Sequence, residues 1–108
     1  MAAPRTLIHI PNPAPRGEVV PVRVTIAHPM EVGLRWLGDG NMSARNIISR
    51  FEVRLDGALV FSADMHQAVA ANPYIAFWLR AERNGTLQFL WTGDFGFRHE
   101  QSVPFVVA

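Results

Sequence analysis

Two short runs carry side chains that could hold a soft metal, His28-Pro29-Met30 and Met65-His66. Two imidazoles and two thioethers make a donor set that suits Cu(I), because soft sulfur ligands select that ion. The same residues have a plainer reading. Met30 and Met65 can fill irregular apolar gaps while both histidines cap loops or face water. Other chemistries find less to work with. Asp39, Asp56 and Asp94 each adjoin a glycine, which is turn chemistry. Ser43, Ser49, Ser62 and Ser102 lie in no strained-turn motif that would activate a nucleophile. The run "GDGN" at residues 38–41 is too short for a phosphate loop and reads as a hairpin turn. The chain has no cysteine, so thiolate nucleophiles, disulfides and Cys-ligated metal centres are excluded. The expectation is a chain that is not an enzyme and carries no cofactor or resident metal. His9 and His99 fall in terminal strand regions and read as structural.

A third use of side chains is recognition. In residues 74–80, Ile75, Phe77 and Leu79 share one face of a strand, and Tyr74, Ala76, Trp78 and Arg80 share the other. Tyr, Trp and Arg dominate interface hot spots, so the second face is a candidate docking patch. Its alternative is an aromatic row covered by the protein's own loops. Trp36, Trp91, Phe95 and Phe97 add to an aromatic content larger than a small core needs.

The elements that must position these groups have a period of two. Residues 18–27 place Val20, Val22, Val24 and Ile26 on one face, and Pro21 predicts an edge strand or a bulge there. Residues 48–55 alternate Phe51, Val53 and Leu55 with Arg50, Glu52 and Arg54. Asp56-Gly57 predicts a tight hairpin, with a return strand over 58–63 whose Leu59 and Phe61 point inward. Residues 61–77, "FSADMHQAVAANPYIAF", open like a helix. Asp64 and Gln67 could form a capping box for one helical turn before Asn72-Pro73 restarts a strand. Asn84-Gly85 predicts a second hairpin into residues 86–92, with Leu87, Phe89 and Trp91 aligned. Residues 93–96 turn the chain into a last strand over 97–107, interrupted or bulged near Pro104. About seven strands at this spacing predict an all-β, immunoglobulin-like antiparallel β-sandwich, with residues 1–108 as a single domain.

Charge narrows the partners. The net charge is +1 and all ten basic residues are arginines, interleaved with carboxylates. Nucleic-acid binding wants an unbalanced basic patch, so no nucleic-acid partner is expected. No apolar run approaches membrane-spanning length. The apolar stretch at residues 6–10 is cut off by Pro11, Pro13 and Pro15, which is too short for a secretory signal and by itself points to the cytoplasm.

The motifs "IAHPMEVG" at 26–33, "FSADMHQAVAANPYIAF" at 61–77 and "GTLQFLWTGDFG" at 85–96 closely resemble the SoxZ family of sulfur-oxidation carrier subunits. The likeness extends over nearly the whole chain and includes the Pro-rich start and the Asp56-Gly57 hairpin. It implies a non-catalytic half of a SoxYZ heterodimer. In such a pair the SoxY-like subunit bears a cysteine on a C-terminal arm, and that cysteine carries sulfur intermediates covalently during thiosulfate oxidation. Other Sox enzymes dock transiently. The resemblance also implies a periplasmic location, reached by export with the signal-bearing partner. The expected partner interface comprises Met65, His66, Tyr74, Trp78 and Arg80 with His28 and Met30. A periplasmic Cu(I)-binding β-sandwich using His and Met side chains is the alternative. The loop at residues 35–45 is more apolar than the family pattern, and its role stays open.

Overall fold

The computed structural model describes residues 3–66 and 69–108. Its seven strands are β1 (Thr6–His9), β2 (Val19–Ile26), β3 (Ile48–Leu55), β4 (Ala58–Asp64), β5 (Tyr74–Arg80), β6 (Gly85–Gly93) and β7 (Arg98–Phe105). They form two antiparallel sheets, β1-β2-β5 and β4-β3-β6-β7. This is an immunoglobulin-like antiparallel β-sandwich, as the period-two pattern predicts. The proposed capping box involves Gln67, which lies outside the described residues. Asp64 ends β4 and pairs with Arg50 at 2.8 Å.

Alternation does the sorting. Val20, Val22, Val24 and Ile26 of β2 face Phe51, Val53 and Leu55 of β3 and Leu87, Phe89 and Trp91 of β6 across one continuous buried core. Phe51 tilts against Trp91 at 5.1 Å between ring centroids. Burying each such side chain is worth roughly 1.5–3 kcal/mol, which explains why register is tightly specified: a slip of one residue would turn every one of them to water. Asp56 (φ 48°) and Gly57 (φ 88°) make the β3–β4 turn with both central residues left-handed, the geometry that matches strand twist.

Four local expectations need correction. Leu59 does not point inward; it is 47% exposed. A register shift between Val53 and Arg54 sets Val53 opposite Phe61 but Arg54 opposite Leu59. Val60 is thus an extra residue, and the inward-outward parity of β4 flips beyond it. Asn84-Gly85 is not a hairpin turn, because β5 pairs with β2 and β6 with β3. That connection crosses from one sheet to the other, and Asn84 Oδ1 accepts the Val107 amide at 2.6 Å. Pro104 interrupts nothing; it lies on β7, in register with Thr86 of β6, and β7 is an edge strand where a missing donor is harmless. Pro21 lies in the central strand of its sheet without a bulge. β1 stops at the His9–Arg23 pair, so beyond it β2 has a neighbour only in β5.

Between β2 and β3 the chain forms an arm. Glu31 bridges to Asn46 and Trp36 to Met42, and the Leu34 and Ser43 amides donate across to Ser43 and Arg35 carbonyls at 2.9 and 2.7 Å. Residues 38–41 make the expected turn at its tip, where Asp39 Oδ1 accepts the Asn41 amide at 2.9 Å. At roughly 3.3 Å per residue, legs of this length add about 20 Å to strands of about 27 Å. An extended ribbon of that kind accounts for much of the 58 Å long axis of the molecule.

Candidate partner-docking surface

The outer face of the three-stranded sheet is built by the odd positions of β2 and the even positions of β5. Tyr74 lies opposite Thr25, Ala76 opposite Arg23, Trp78 opposite Pro21 and Arg80 opposite Val19. Leu7 of β1 extends the same face beside Thr25. Trp78 is 69% exposed, Tyr74 57% and Leu7 65%. Indole, phenol and guanidinium groups therefore stand on one side of a rigid sheet whose other side is core. The Arg80 guanidinium donates to the Gly17 carbonyl at 3.1 Å, which fixes its stem across the end of the sheet.

The loop residues divide differently. His28, Met30 and Met65 are buried, so they present no surface, contrary to their expected place in the interface. His28 Nδ1 accepts the Met30 amide at 3.0 Å, and the Met30 sulfur accepts the Ile48 amide at 3.2 Å. The His28 and Asn72 segments are tied by two bonds: the His28 amide donates to Asn72 Oδ1 at 3.0 Å and the Asn72 amide to the His28 carbonyl at 2.7 Å. The Met65 amide donates to Ser49 at 2.8 Å. The two loops do meet, at the start of β3, and they are closed by bonds to backbone. His66 is exposed. Two of the four soft donors of the Cu(I) reading, His28 Nδ1 and Met30 Sδ, thus already accept amide hydrogens. Among the described residues no three His, Cys, Asp or Glu side chains gather in a way that could hold a metal ion.

His28 also packs edge-on against Phe97, 4.9 Å between centroids. The pair lines an open groove with Asn46, Asp94, Phe95 and Arg98. Burial lowers the His28 pKa, and the nearby Asp94 carboxylate partly opposes that shift. Asp94 is itself held low by its hydrogen bond from Arg45, a bidentate pair at 2.7 and 2.8 Å, and by the Ile47 amide. A carboxylate so occupied ties the base of the arm to the β6–β7 turn; it is poorly placed as a general base. The sign of the His28 effect follows from linkage. Its neutral form is favoured in the fold, so its contribution to stability is complete above the unfolded value near 6.5 and declines as pH falls through and below it. The lowered carboxylates Asp94, Glu31 and Asp39 add their own loss only below about pH 5. Urea unfolding between pH 7.5 and 5 should therefore show falling stability that flattens in His28→Asn, whose Oδ1 can accept the amide two residues on. A pH-independent wild type over that window would refute the assignment.

Sequence reasoning misses the arm as a surface. Leu34 is 82% exposed and Trp36 67%, with Val32, Leu37 and Met42 also exposed. Its arginines are paired within the molecule, Arg35 with Glu31 at 2.6 Å and Arg45 with Asp94. Gly33 at φ 88° and the Gly38-Asp39-Gly40 tip are the available signal for a ribbon.

The fold and this surface define a small β-sandwich with one aromatic sheet face open and an exposed apolar arm. A family model for the sulphur oxidation protein SoxZ matches residues 8–104, most of the chain. The chain belongs to the SoxZ family. Among solved structures, the sulfur carrier protein SoxY from Chlorobium limicola f thiosulfatophilum superposes with a TM-score of 0.65 at 17% identity, over 95% of this chain and 78% of that one. A superoxide reductase (neelaredoxin) from Ignicoccus hospitalis superposes with a TM-score of 0.73 at 18% identity, over 95% and 80% of the two chains. At such identities these likenesses speak to the fold alone. A comparison with curated protein sequences finds no match.

Proposed function

We propose that this chain is the non-catalytic scaffold subunit of a SoxYZ-type carrier, a single domain that pairs with a SoxY-like subunit. The partner's C-terminal-arm cysteine would carry sulfur intermediates during thiosulfate oxidation, while this cysteine-free chain holds and presents it. Family membership supports the sulfur-oxidation role. The observation that carries the pairing is the open sheet face with Tyr74 and Trp78 at its centre. Arg80 stands on that face, the exposed His66 is assigned to the docking surface with it, and the buried His28, Met30 and Met65 act as loop packing at the start of β3. Other Sox enzymes would dock transiently on the assembled pair. The pair resides in the periplasm, exported on the partner's signal.

Native mass spectrometry of the complex from periplasm tests this directly. The expected species is a one-to-one heterodimer with sulfur-containing adducts on the partner's cysteine. A monomer or homodimer that carries copper would instead return attention to His28, Met30, Met65 and His66. Within the heterodimer, Trp78→Ala should weaken binding by about 2 kcal/mol, roughly thirtyfold, the scale of a central hot spot. Unchanged affinity in a titration calorimetry experiment would remove Trp78 from the interface.

A further inference from the structure

Four strands lie at sheet edges, β1 and β5 in one sheet and β4 and β7 in the other. An unpaired edge presents a row of backbone donors and acceptors, and soluble proteins blunt such edges with short length, charge, proline or bulges. β1 has four residues and is followed by Pro11 and Pro13. β7 carries Arg98, Glu100 and Pro104. β4 is bent by the extra residue at Val60. β5 has none of these guards. It runs seven residues, Tyr-Ile-Ala-Phe-Trp-Leu-Arg, with no proline, no register shift and a single charge at its end.

The register identifies which backbone groups reach that edge. The Ile26 amide donates to Pro73 O at 3.3 Å and the Ala81 amide to Glu18 O at 2.8 Å. Both bonds belong to the alternate set of antiparallel positions that includes Val24–Ile75, Val22–Phe77 and Val20–Leu79. The intervening residues, Tyr74, Ala76, Trp78 and Arg80, must then turn their N–H and C=O away from β2, toward the unpaired side. They are the same four residues whose side chains form the exposed face.

We infer that β5 takes up an extended, uncharged segment of the partner subunit as an added fourth strand of its sheet. This rests on the proposed pairing and specifies how it is made. Backbone bonds from Tyr74, Ala76, Trp78 and Arg80 supply the attachment, and alternate side chains of the added strand cover Ile75 and Phe61, which the chain leaves half-buried. A charged segment is disfavoured, because the middle of β5 offers no counter-charge.

Amide hydrogen exchange on the purified heterodimer tests the strand addition. The amides of Tyr74, Ala76, Trp78 and Arg80 should exchange at least about tenfold more slowly in the complex, while Ile75 and Phe77, already bonded to β2, change little. Ala76→Pro removes one edge donor at a position where proline is compatible with an edge strand. It should lower affinity at least about tenfold, with Ala76→Ser near wild type. A heterodimer in which those four amides exchange as in the free chain, or in which protection appears on the arm at residues 32–42 instead, overturns strand addition and leaves the carrier reading standing. Edge protection in a homodimer overturns the choice of occupant. A chain that forms no heterodimer at all removes the carrier reading, and the strand addition with it.

Discussion

Replacing Gly93 by Ala should destabilise the protein by about 3 kcal/mol, near the upper end for overpacking a closed site. The reason is space. A Cβ at Gly93 would lie 2.3 Å from the Ile47 carbonyl oxygen and 2.9 Å from the Ile48 Cα. Both are backbone atoms, so no side chain can swing aside. The backbone of Gly93 is extended, with φ −166°, so the residue is required by the close approach of β6 to the start of β3 and not by its dihedral. Forcing these strands apart would strain the bonds that converge there. The Asp94 amide donates to Ile47 O at 2.9 Å, and the Ile48 amide donates to the Met30 sulfur. The base of the arm and the His28 loop would loosen together. Gly38→Ala provides the contrast: at φ 84° it has open space around it, and its cost should be about 1 kcal/mol from the left-handed backbone alone. Urea unfolding of both variants measures the difference. A Gly93→Ala cost no larger than that of Gly38→Ala would mean that the β3–β6 approach yields easily.

Strands are legible in the sequence where one face meets the core and the other meets water. The bounds of β3 and β5 match the alternating segments at 48–55 and 74–80. The same alternation separates Tyr74 and Trp78 from Phe77 and Leu79, so which residues share the aromatic face follows from the residue pattern, whereas its exposure is settled only by the fold, which lays no loop over it. Leu59 fails because a bulge changes parity without leaving a mark in composition. Asn84-Gly85 fails because a turn signal is local, whereas the choice of pairing strand is not: β5 finds β2, more than fifty residues earlier at Val22–Phe77. The arm is opaque for another reason. Leu34, Trp36 and Leu37 are apolar, and apolar side chains ordinarily report burial. Here the ribbon holds them out with cross-ribbon backbone bonds and with polar side chains, Ser43, Asp39 and Glu31, that accept its amides. Burial of His28 and Met30 is equally hidden, since their use as acceptors for the Met30 and Ile48 amides depends on a left-handed Met30 at φ 50°.

Phe77→Ala should cost about 3–5 kcal/mol, the range for deleting a buried phenyl ring from a packed core. Phe77 is buried in β5 and sits opposite Val22. Its ring stacks on Phe61 with 4.4 Å between centroids and 8° between planes, a pairing worth about 0.5–1.5 kcal/mol beyond the area it buries. That stack is also what joins the edge of one sheet to the edge of the other, since Phe61 belongs to β4. β5 pairs with β2 alone, so cross-sheet packing through Phe77 and Leu79 must supply the rest of its anchorage. Loss of the ring should therefore act locally as well as globally. Hydrogen exchange at Ile75, Phe77 and Leu79 should quicken more than at Phe51, Val53 or Phe89, which lie in strands paired on both sides. Phe77→Leu keeps most of the volume and should cost less than about 1.5 kcal/mol, with little local change. Uniform acceleration across both sheets in Phe77→Ala would show that β5 has no anchorage of its own to lose. Selective acceleration would show that β5 is positioned by a ring on its hidden face, so that the strand proposed for docking and the core packing share neighbouring residues.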